Sequence, residues 1–336
     1  MKSLPRNTVL VGDAVTTIET LPSQSVDAVI TSPPYFQLRN YGTVGQIGLE
    51  PSVDEWVDKL RLAFRGLARV LKQTGTVWLN LGDSYSRHPR YGAEAKSLLL
   101  GPERVARALM EDGWIVRNKV IWAKTRVMPT SVDDRLACTW EVLYLLARSK
   151  RYYFDLDAIR EPHRSKPFRP RPSQALYPPK EFLPRAWSAP LAGDNSGLAK
   201  LKREGRIGHP LGRNPGDVWS LPSANFHGAH FATFPESLIE KPILASVPER
   251  VCVQCGVPWK HDTNGAKRGP LRPMCKCRSG HRPGIVLDPF IGSGTVGIAA
   301  ARHGRDWLGI DINPKFAAMA ETRIAKAERS TRPRAA

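Results

Sequence analysis

The fold class this sequence predicts is α/β: a doubly wound, mostly parallel sheet with helices on both faces. Three observations predict it. Short β-rich runs alternate with amphipathic helical runs through the first half of the chain. Near the other end, Gly292-Ser293-Gly294-Thr295-Val296-Gly297 joins a buried strand to a helix, and an acid, Asp311, ends the strand that follows. Only one helix stands after Asp311, while the further strands such a sheet needs stand at the amino end. The sheet is therefore expected in circularly permuted order, an arrangement that costs little because chain termini often lie close together on the surface.

The elements follow in order. Thr8 to Val11 reads as a first strand closed by Gly12-Asp13, Ala14 to Thr20 as a short helix, and Val26 to Thr31 as a second strand. From Asp54 to Gln73 the apolar residues Val57, Leu60, Phe64, Leu67, Val70 and Leu71 recur at helical spacing, and Gly75 is expected to stop that helix. Thr76 to Leu81 is the next strand, ending in Gly82-Asp83. Pro102 opens a helix through Glu111, stopped at Gly113, and Ile115 to Trp122 and Glu141 to Ala147 are strands. The alternation fades after Asp157 and resumes at Gly216-Asp217-Val218-Trp219. Pro283 to Leu287 is a buried strand, Val296 to His303 a helix, and Trp307 to Ile310 a strand. Asn313 and Pro314 are a good N-cap and first residue for a last helix to about Ala327.

The second strand is stopped abruptly by Pro33 and Pro34, neither of which can donate a ladder hydrogen bond. The loop Ser32-Pro33-Pro34-Tyr35 suits a flat heterocycle carrying an exocyclic amino group: the Ser32 hydroxyl and the Pro33 carbonyl accept its two N–H protons while Tyr35 stacks on the ring. The glycine turn lets a ligand approach the backbone at a helix N-terminus, and Asp311 is placed to accept from ribose hydroxyls. Both a nicotinamide dinucleotide and S-adenosylmethionine need that geometry. In the permuted order Asp13 ends the third strand, where it would accept from an adenine amino group.

Fifty Lys and Arg against 31 Asp and Glu give a formal charge of +19, which favours a polyanionic partner, nucleic acid ahead of an acidic membrane surface. Between Arg160 and Arg206 there are eleven Lys or Arg and four Asp or Glu, with Phe168, Tyr177, Phe182 and Trp187 interleaved among prolines. That composition suits a surface lying on phosphates and stacking on bases; a disordered basic linker is its plainer reading. No apolar run is long enough to span a bilayer and the amino end lacks a signal peptide's apolar core, so the protein is expected to be cytoplasmic.

Four of the five cysteines cluster late in the chain. Cys252-Val-Gln-Cys255 is a knuckle, and Cys275-Lys-Cys277 follows after 19 residues, a spacing able to close a tetrahedral structural zinc site, with His281 as a substitute ligand. Four free or redox thiols are the alternative.

Ile30-Thr31-Ser32-Pro33-Pro34-Tyr35 resembles the catalytic motif of β-class amino DNA methyltransferases, in the form usual for N4-cytosine enzymes, and Asp288-Pro289-Phe290-Ile291-Gly292-Ser293-Gly294-Thr295 is similar to their cofactor loop. The resemblance covers most of the chain and extends to Asn80 through Tyr85, Lys119 through Trp122 with Trp140-Glu141, and His230 through Pro235 with Ser237. It implies a Rossmann-like methyltransferase sheet in which Ser32, Pro33, Pro34 and Tyr35 are catalytic and Asp13, Phe234, Ser237, Asp288, Phe290, Gly292, Gly294, Thr295 and Asp311 hold S-adenosylmethionine. Residues 1–157 would form the catalytic half and 158–215 the target-recognition region. Residues 216–247 and 283–328 would form the cofactor half, 248–282 the zinc module of Cys252, Cys255, Cys275 and Cys277, and 329–336 a basic tail. The activity implied is methylation of cytosine N4 in double-stranded DNA within restriction–modification, which allows a cognate restriction endonuclease as partner. N6-adenine methylation is the nearest alternative, since the amino-group chemistry is shared. Methylation of RNA or protein, a nicotinamide dehydrogenase, and a non-enzymatic zinc DNA-binding protein are the others.

Overall fold

The structure, a computed structural model, describes residues 3–127, 129–163, 209–223, 234–262 and 267–331. The chain divides into two units: residues 1–158, 216–260 and 271–336 form the larger, and residues 159–215 and 261–270 the smaller. In the smaller unit, Glu161 and Arg213 exchange main-chain hydrogen bonds and join side chains in an ion pair. Most of the basic segment from Arg160 to Arg206 lies outside the described residues, as does the run His230 to Thr233.

The larger unit is built on an eight-stranded sheet. Its strands are β1 (Thr8–Val11), β2 (Val26–Thr31), β3 (Leu71–Leu81), β4 (Ile115–Lys124), β5 (Trp140–Ala147), β6 (Val218–Leu221), β7 (Ile285–Asp288) and β8 (Asp306–Asp311). Their spatial order is β1-β8-β7-β2-β3-β5-β4-β6. Only the pairings of β5 with β3 and β4 are antiparallel; the other five are parallel. The first strand thus pairs with the last, Val11 opposite Asp311.

Among the described residues, six helices cover the two faces. On one side α1 (Ala14–Glu19), α2 (Val53–Val70) and α3 (Gly101–Glu111) bury Ile18, Trp56, Leu60, Phe64 and Leu109 against Val29, Val77, Leu79 and Leu287. On the other, α4 (Glu236–Ser246), α5 (Thr295–Arg302) and α6 (Pro314–Thr331) bury Leu238, Ile243, Val296 and Ile324 against Ala28, Ile30, Trp78 and Val286. Strand β2 is buried along its whole length, which explains why Val26 to Thr31 reads as a continuous run rather than an alternation.

One expectation changes. Helix α2 ends at Val70, not near Gln73, and β3 begins at once with Leu71 in extended conformation (φ −72°, ψ 133°). Gly75 is therefore not a helix stop but sits inside β3, at a register shift where Val26 faces Leu71 and Ala28 faces Thr76. A Cβ there would lie 2.5 Å from Leu71 Cδ1 and 2.9 Å from the Asp27 carbonyl, so glycine is required by crowding at a bulge.

The topology fixes where a ligand can sit. From β7 the chain moves outward through β8, and β1 lies beyond β8; α1 then carries it back to β2, from which it moves outward the other way to β3. The crevice outside the carboxyl ends of β7 and β2 is thus a switch point. The Asp288-to-Thr295 loop and the Ser32-to-Tyr35 loop both leave the sheet there.

Candidate active site

A cavity of about 480 Å³ opens at that crevice, a size ordinary for a small-molecule site. Ser32, Pro33, Pro34 and Tyr35 line it from β2, and Phe290, Gly292 and Asp311 from β7 and β8. Two loops far apart in sequence, each expected to be functional, therefore face one space.

The β2 loop is held by side chains. Glu141 on β5 receives Lys124 Nζ at 2.5 Å on Oε1, and on Oε2 the Tyr35 hydroxyl at 2.7 Å and Asn80 Nδ2 at 2.9 Å. A carboxylate can only accept, so Tyr35 spends its proton on Glu141. The Tyr35 oxygen then accepts from Asn80 Nδ2 (2.6 Å) and from the Ser32 hydroxyl (3.2 Å). With its proton directed to Tyr35, Ser32 Oγ is left to act as an acceptor. Burial, followed by the Glu141 charge, pushes the Tyr35 phenol well above its ordinary range and keeps it a donor. Behind the ring, Gly82 is obligatory: a Cβ there would stand 2.7 Å from Tyr35 Cε2. The two proline carbonyls differ. That of Pro34 accepts from Trp56 Nε1 at 2.9 Å, whereas that of Pro33 accepts no hydrogen bond among the described residues.

The β7 loop is held by its backbone. Gly292 has φ +49° and its N–H donates to Asp311 Oδ2 at 2.9 Å; Asn313 N–H donates to Oδ1 at 2.8 Å. Gly294, at φ +82°, is the N-cap of α5, and its N–H returns to the Ile291 carbonyl at 2.8 Å. Below the loop, Asp288 is fully buried, accepting from Thr31 Oγ1 at 2.7 Å and from Phe290 N–H at 3.1 Å. Burial pushes its carboxyl up to about 7. Burial likewise raises Asp311. Asp13 caps α1 through Thr16 N–H (3.0 Å) and also faces the cavity, as do Phe234, Thr295, Tyr41 and Phe316.

A model of the DNA methylase family matches residues 26–322. The chain is 32% identical to the Type II methyltransferase M.Cfr9I of Citrobacter freundii over 94% of its own length and 87% of that protein. It is 31% identical to M.SmaI of Serratia marcescens over 95% and 90%. The chain belongs to the DNA methylase family. Within it, the Ser-Pro-Pro-Tyr motif and the order of the two loops make it a β-class amino DNA methyltransferase. Among solved structures, the PvuII cytosine-N4-specific DNA methyltransferase shares the fold at a TM-score of 0.57 and 16% identity, over 98% of this chain and 93% of that one. A Thermus thermophilus protein complexed with S-adenosyl-L-methionine does so at 0.51 and 20%, over 96% and 95%.

Three residues expected in the methylase's cofactor site stand apart from the cavity wall. Asp288 is beneath the loop, Gly294 packs away from the cavity against Ala320 (a Cβ would lie 3.0 Å from its Cα), and Ser237 is exposed in the first turn of α4. Among the wall residues that carry no role in the sequence reading are Lys124, Asn80, Glu141 and Tyr41. Asn80 and Glu141 fall within segments that resemble the family, but their joint action on Tyr35 depends on strands β3 and β5 pairing antiparallel, Asn80 opposite Leu143.

Away from the cavity, the sulfurs of Cys252, Cys255, Cys275 and Cys277 all lie within 4.8 Å of one another. His281 is not in that group; its ring stands 4.7 Å from that of Trp259. No helix among the described residues is long and apolar enough to cross a membrane.

Proposed function

We propose that this methylase transfers the methyl group of S-adenosylmethionine to the exocyclic N4 of cytosine in double-stranded DNA, as the modification enzyme of a restriction–modification pair. The observation that carries the reading is the pair of acceptors at the end of β2: Ser32 Oγ, its proton committed to Tyr35, and the Pro33 carbonyl, which accepts nothing among the described residues, both facing the cavity. An exocyclic amino group offers two N–H donors, and its lone pair is delocalised into the ring until the nitrogen is drawn toward tetrahedral geometry. Two fixed acceptors do that in the transition state more than in the ground state. S-adenosylmethionine supplies the electrophilic methyl. The N–C bond forms, the C–S bond breaks, and one amino proton is released. The run of hydrogen bonds from Ser32 through Tyr35 to Glu141 gives that proton a path to a carboxylate.

The target is paired and stacked in the duplex, so it must be flipped into the cavity, at a cost of roughly a few kcal/mol. Tyr35 offers the ring for stacking. The cofactor is assigned to Asp13, Phe234, Phe290, Gly292, Thr295 and Asp311, with Asp288 and Gly294 shaping the loop. The proposed set of bound groups also includes a structural zinc on Cys252, Cys255, Cys275 and Cys277. Residues 158–215 are assigned to sequence recognition, consistent with their charge.

Serine rather than an acid or amide at the head of the motif favours cytosine. The test is digestion of DNA methylated by the purified protein, followed by mass spectrometry of the nucleosides. N4-methylcytosine is the expected product. N6-methyladenine would move the assignment to the adenine branch, and no methylated base, with cofactor bound, would overturn the reading.

A further inference from the structure

The cysteine cluster lies at the end of the sheet opposite the cavity, yet it is wired to the two strands that build the cavity. The knuckle turn is closed by Gly256 N–H donating to the Cys252 carbonyl at 2.9 Å, with Gly256 at φ +69°. The Gly256 carbonyl in turn accepts from Lys72 Nζ at 3.3 Å. The same ammonium stands 2.5 Å from Asp27 Oδ1, and Asp27 Oδ2 accepts the Ile285 N–H at 2.9 Å. Asp27 is only 4% exposed. It is the second residue of β2 and Ile285 the first of β7, so one buried carboxylate ties the catalytic strand to the cofactor strand at their amino ends. At their carboxyl ends the same two strands are tied by Thr31 Oγ1 and Asp288.

A buried charge holds only while its partner is held. Lys72 is a long, flexible side chain, and the Gly256 carbonyl is a second anchor that keeps its ammonium over Asp27. The position of that carbonyl depends on the knuckle, and the knuckle on what joins the four sulfurs. A tetrahedral shell with metal–sulfur bonds of about 2.3 Å puts sulfurs roughly 3.8 Å apart, so sulfurs already within 4.8 Å close on an ion with little movement. Four soft ligands and no open position select zinc or a similar thiophilic cation, and binding releases the thiol protons to solvent.

We propose that a zinc ion on the four cysteines acts as a latch: through Gly256, Lys72 and Asp27 it sets β2 against β7, and so sets the spacing of the two loops in a cavity it does not touch. This rests on the zinc reading above. Lys72 is a positioning residue in this scheme.

The test uses the full chain purified without chelator. Expected is about one zinc per chain by elemental analysis. Stripping the zinc with an organomercurial followed by chelator and reductant should weaken S-adenosylmethionine binding by about fivefold or more and speed amide exchange at Ile285. Lys72→Met should reproduce both effects while retaining its zinc, and re-addition of Zn²⁺ should reverse them in the stripped parent but not in Lys72→Met. If zinc is bound but neither stripping nor Lys72→Met alters cofactor affinity or exchange, the latch is overturned while the zinc site stands. Zinc-free protein, with four free thiols or with disulfides, overturns both. A zinc-loaded parent that fails to bind S-adenosylmethionine would instead count against the methyltransferase reading.

Discussion

Strands β2 and β7 are neighbours in the sheet and both end at the same cavity, but their loops are made in opposite ways. The β7 loop is a backbone object: two positive-φ glycines, main-chain N–H groups bound to Asp311 and Ile291, and a helix capped by Gly294. Almost all of its determinants lie within 24 residues of one another. The β2 loop is a side-chain object. Ser32 and Tyr35 are positioned by Asn80 from β3, Lys124 from β4 and Glu141 from β5, up to 106 residues away. A backbone-built loop has no tolerance for an added Cβ, and damage there removes fold and binding together. A side-chain-built loop can lose a functional group and keep its shape. The two loops should therefore respond to substitution in different observables.

The largest effect is expected at Gly294. Valine at φ +82°, with its Cβ about 3 Å from the Ala320 backbone, is both strained and overpacked, and should cost about 3 kcal/mol or more. Cofactor binding should vanish in calorimetry as the melting temperature falls. The steric conflict is with α6 rather than with the ligand, so a parallel loss of stability and affinity is the signature. Loss of affinity with unchanged melting would contradict this account of the loop.

The second effect is a pH dependence at the seam between the loops. Asp288 is raised to about 7 by burial, far above an ordinary aspartate. Between about pH 4 and 7 the folded chain keeps a proton that the unfolded chain has lost, so this group's contribution to stability is full below that range and declines as pH rises through 7. Asp288→Asn keeps an acceptor for Thr31 and Phe290 and cannot ionise. Its stability relative to the parent should rise from pH 5 to pH 8 by on the order of 2–4 kcal/mol. Parallel denaturation curves at the two pH values would show instead that Asp288 is ionised in the folded protein.

The same contrast explains what is legible in the sequence. Signals carried by neighbouring residues are readable: the Pro-Pro stop after a strand, the glycine turn, the acid at the end of β8, the Cys-x-x-Cys knuckle. Signals that need distant strands to pair are not. Nothing around Lys124 marks it as a partner of Glu141, because only the antiparallel pairing of β4 with β5 brings them together. Gly75 misleads for the same reason: after a helical run a glycine reads as a stop, and only the pairing of β2 with β3 reveals the crowded bulge that requires it. Gly294 and Ser237 fall between these cases. The loop is locatable and Ser237 falls in a segment that resembles the family, but which way each residue faces depends on α6 and on the sheet.

In the β2 loop the expected losses are kinetic. Ser32→Ala removes one of the two acceptors and should slow single-turnover methyl transfer about 10- to 100-fold, or ~1.4–2.7 kcal/mol of barrier, with cofactor affinity and melting temperature unchanged. A fall in melting temperature comparable to that of Gly294→Val would erase the distinction between the loops.

The smallest effect isolates the hydroxyl of Tyr35 from its ring. Tyr35→Phe keeps the ring against Gly82 and removes the oxygen that accepts from Ser32 and Asn80 and donates to Glu141. Asn80 still reaches Glu141 at 2.9 Å and Ser32 Oγ at 3.4 Å, so neither is stranded, and the loss should be about 0.5–1.5 kcal/mol in the transfer step. Tyr35→Ala removes the ring as well and should add a loss of base capture of ~1–3 kcal/mol, the range for stacking on single-stranded sites. The two variants should therefore differ in DNA affinity with the target base in place and agree when it is replaced by an abasic site. Equal affinities in both duplexes would mean that Tyr35 serves only to orient Ser32 and that some other wall of the cavity carries the base.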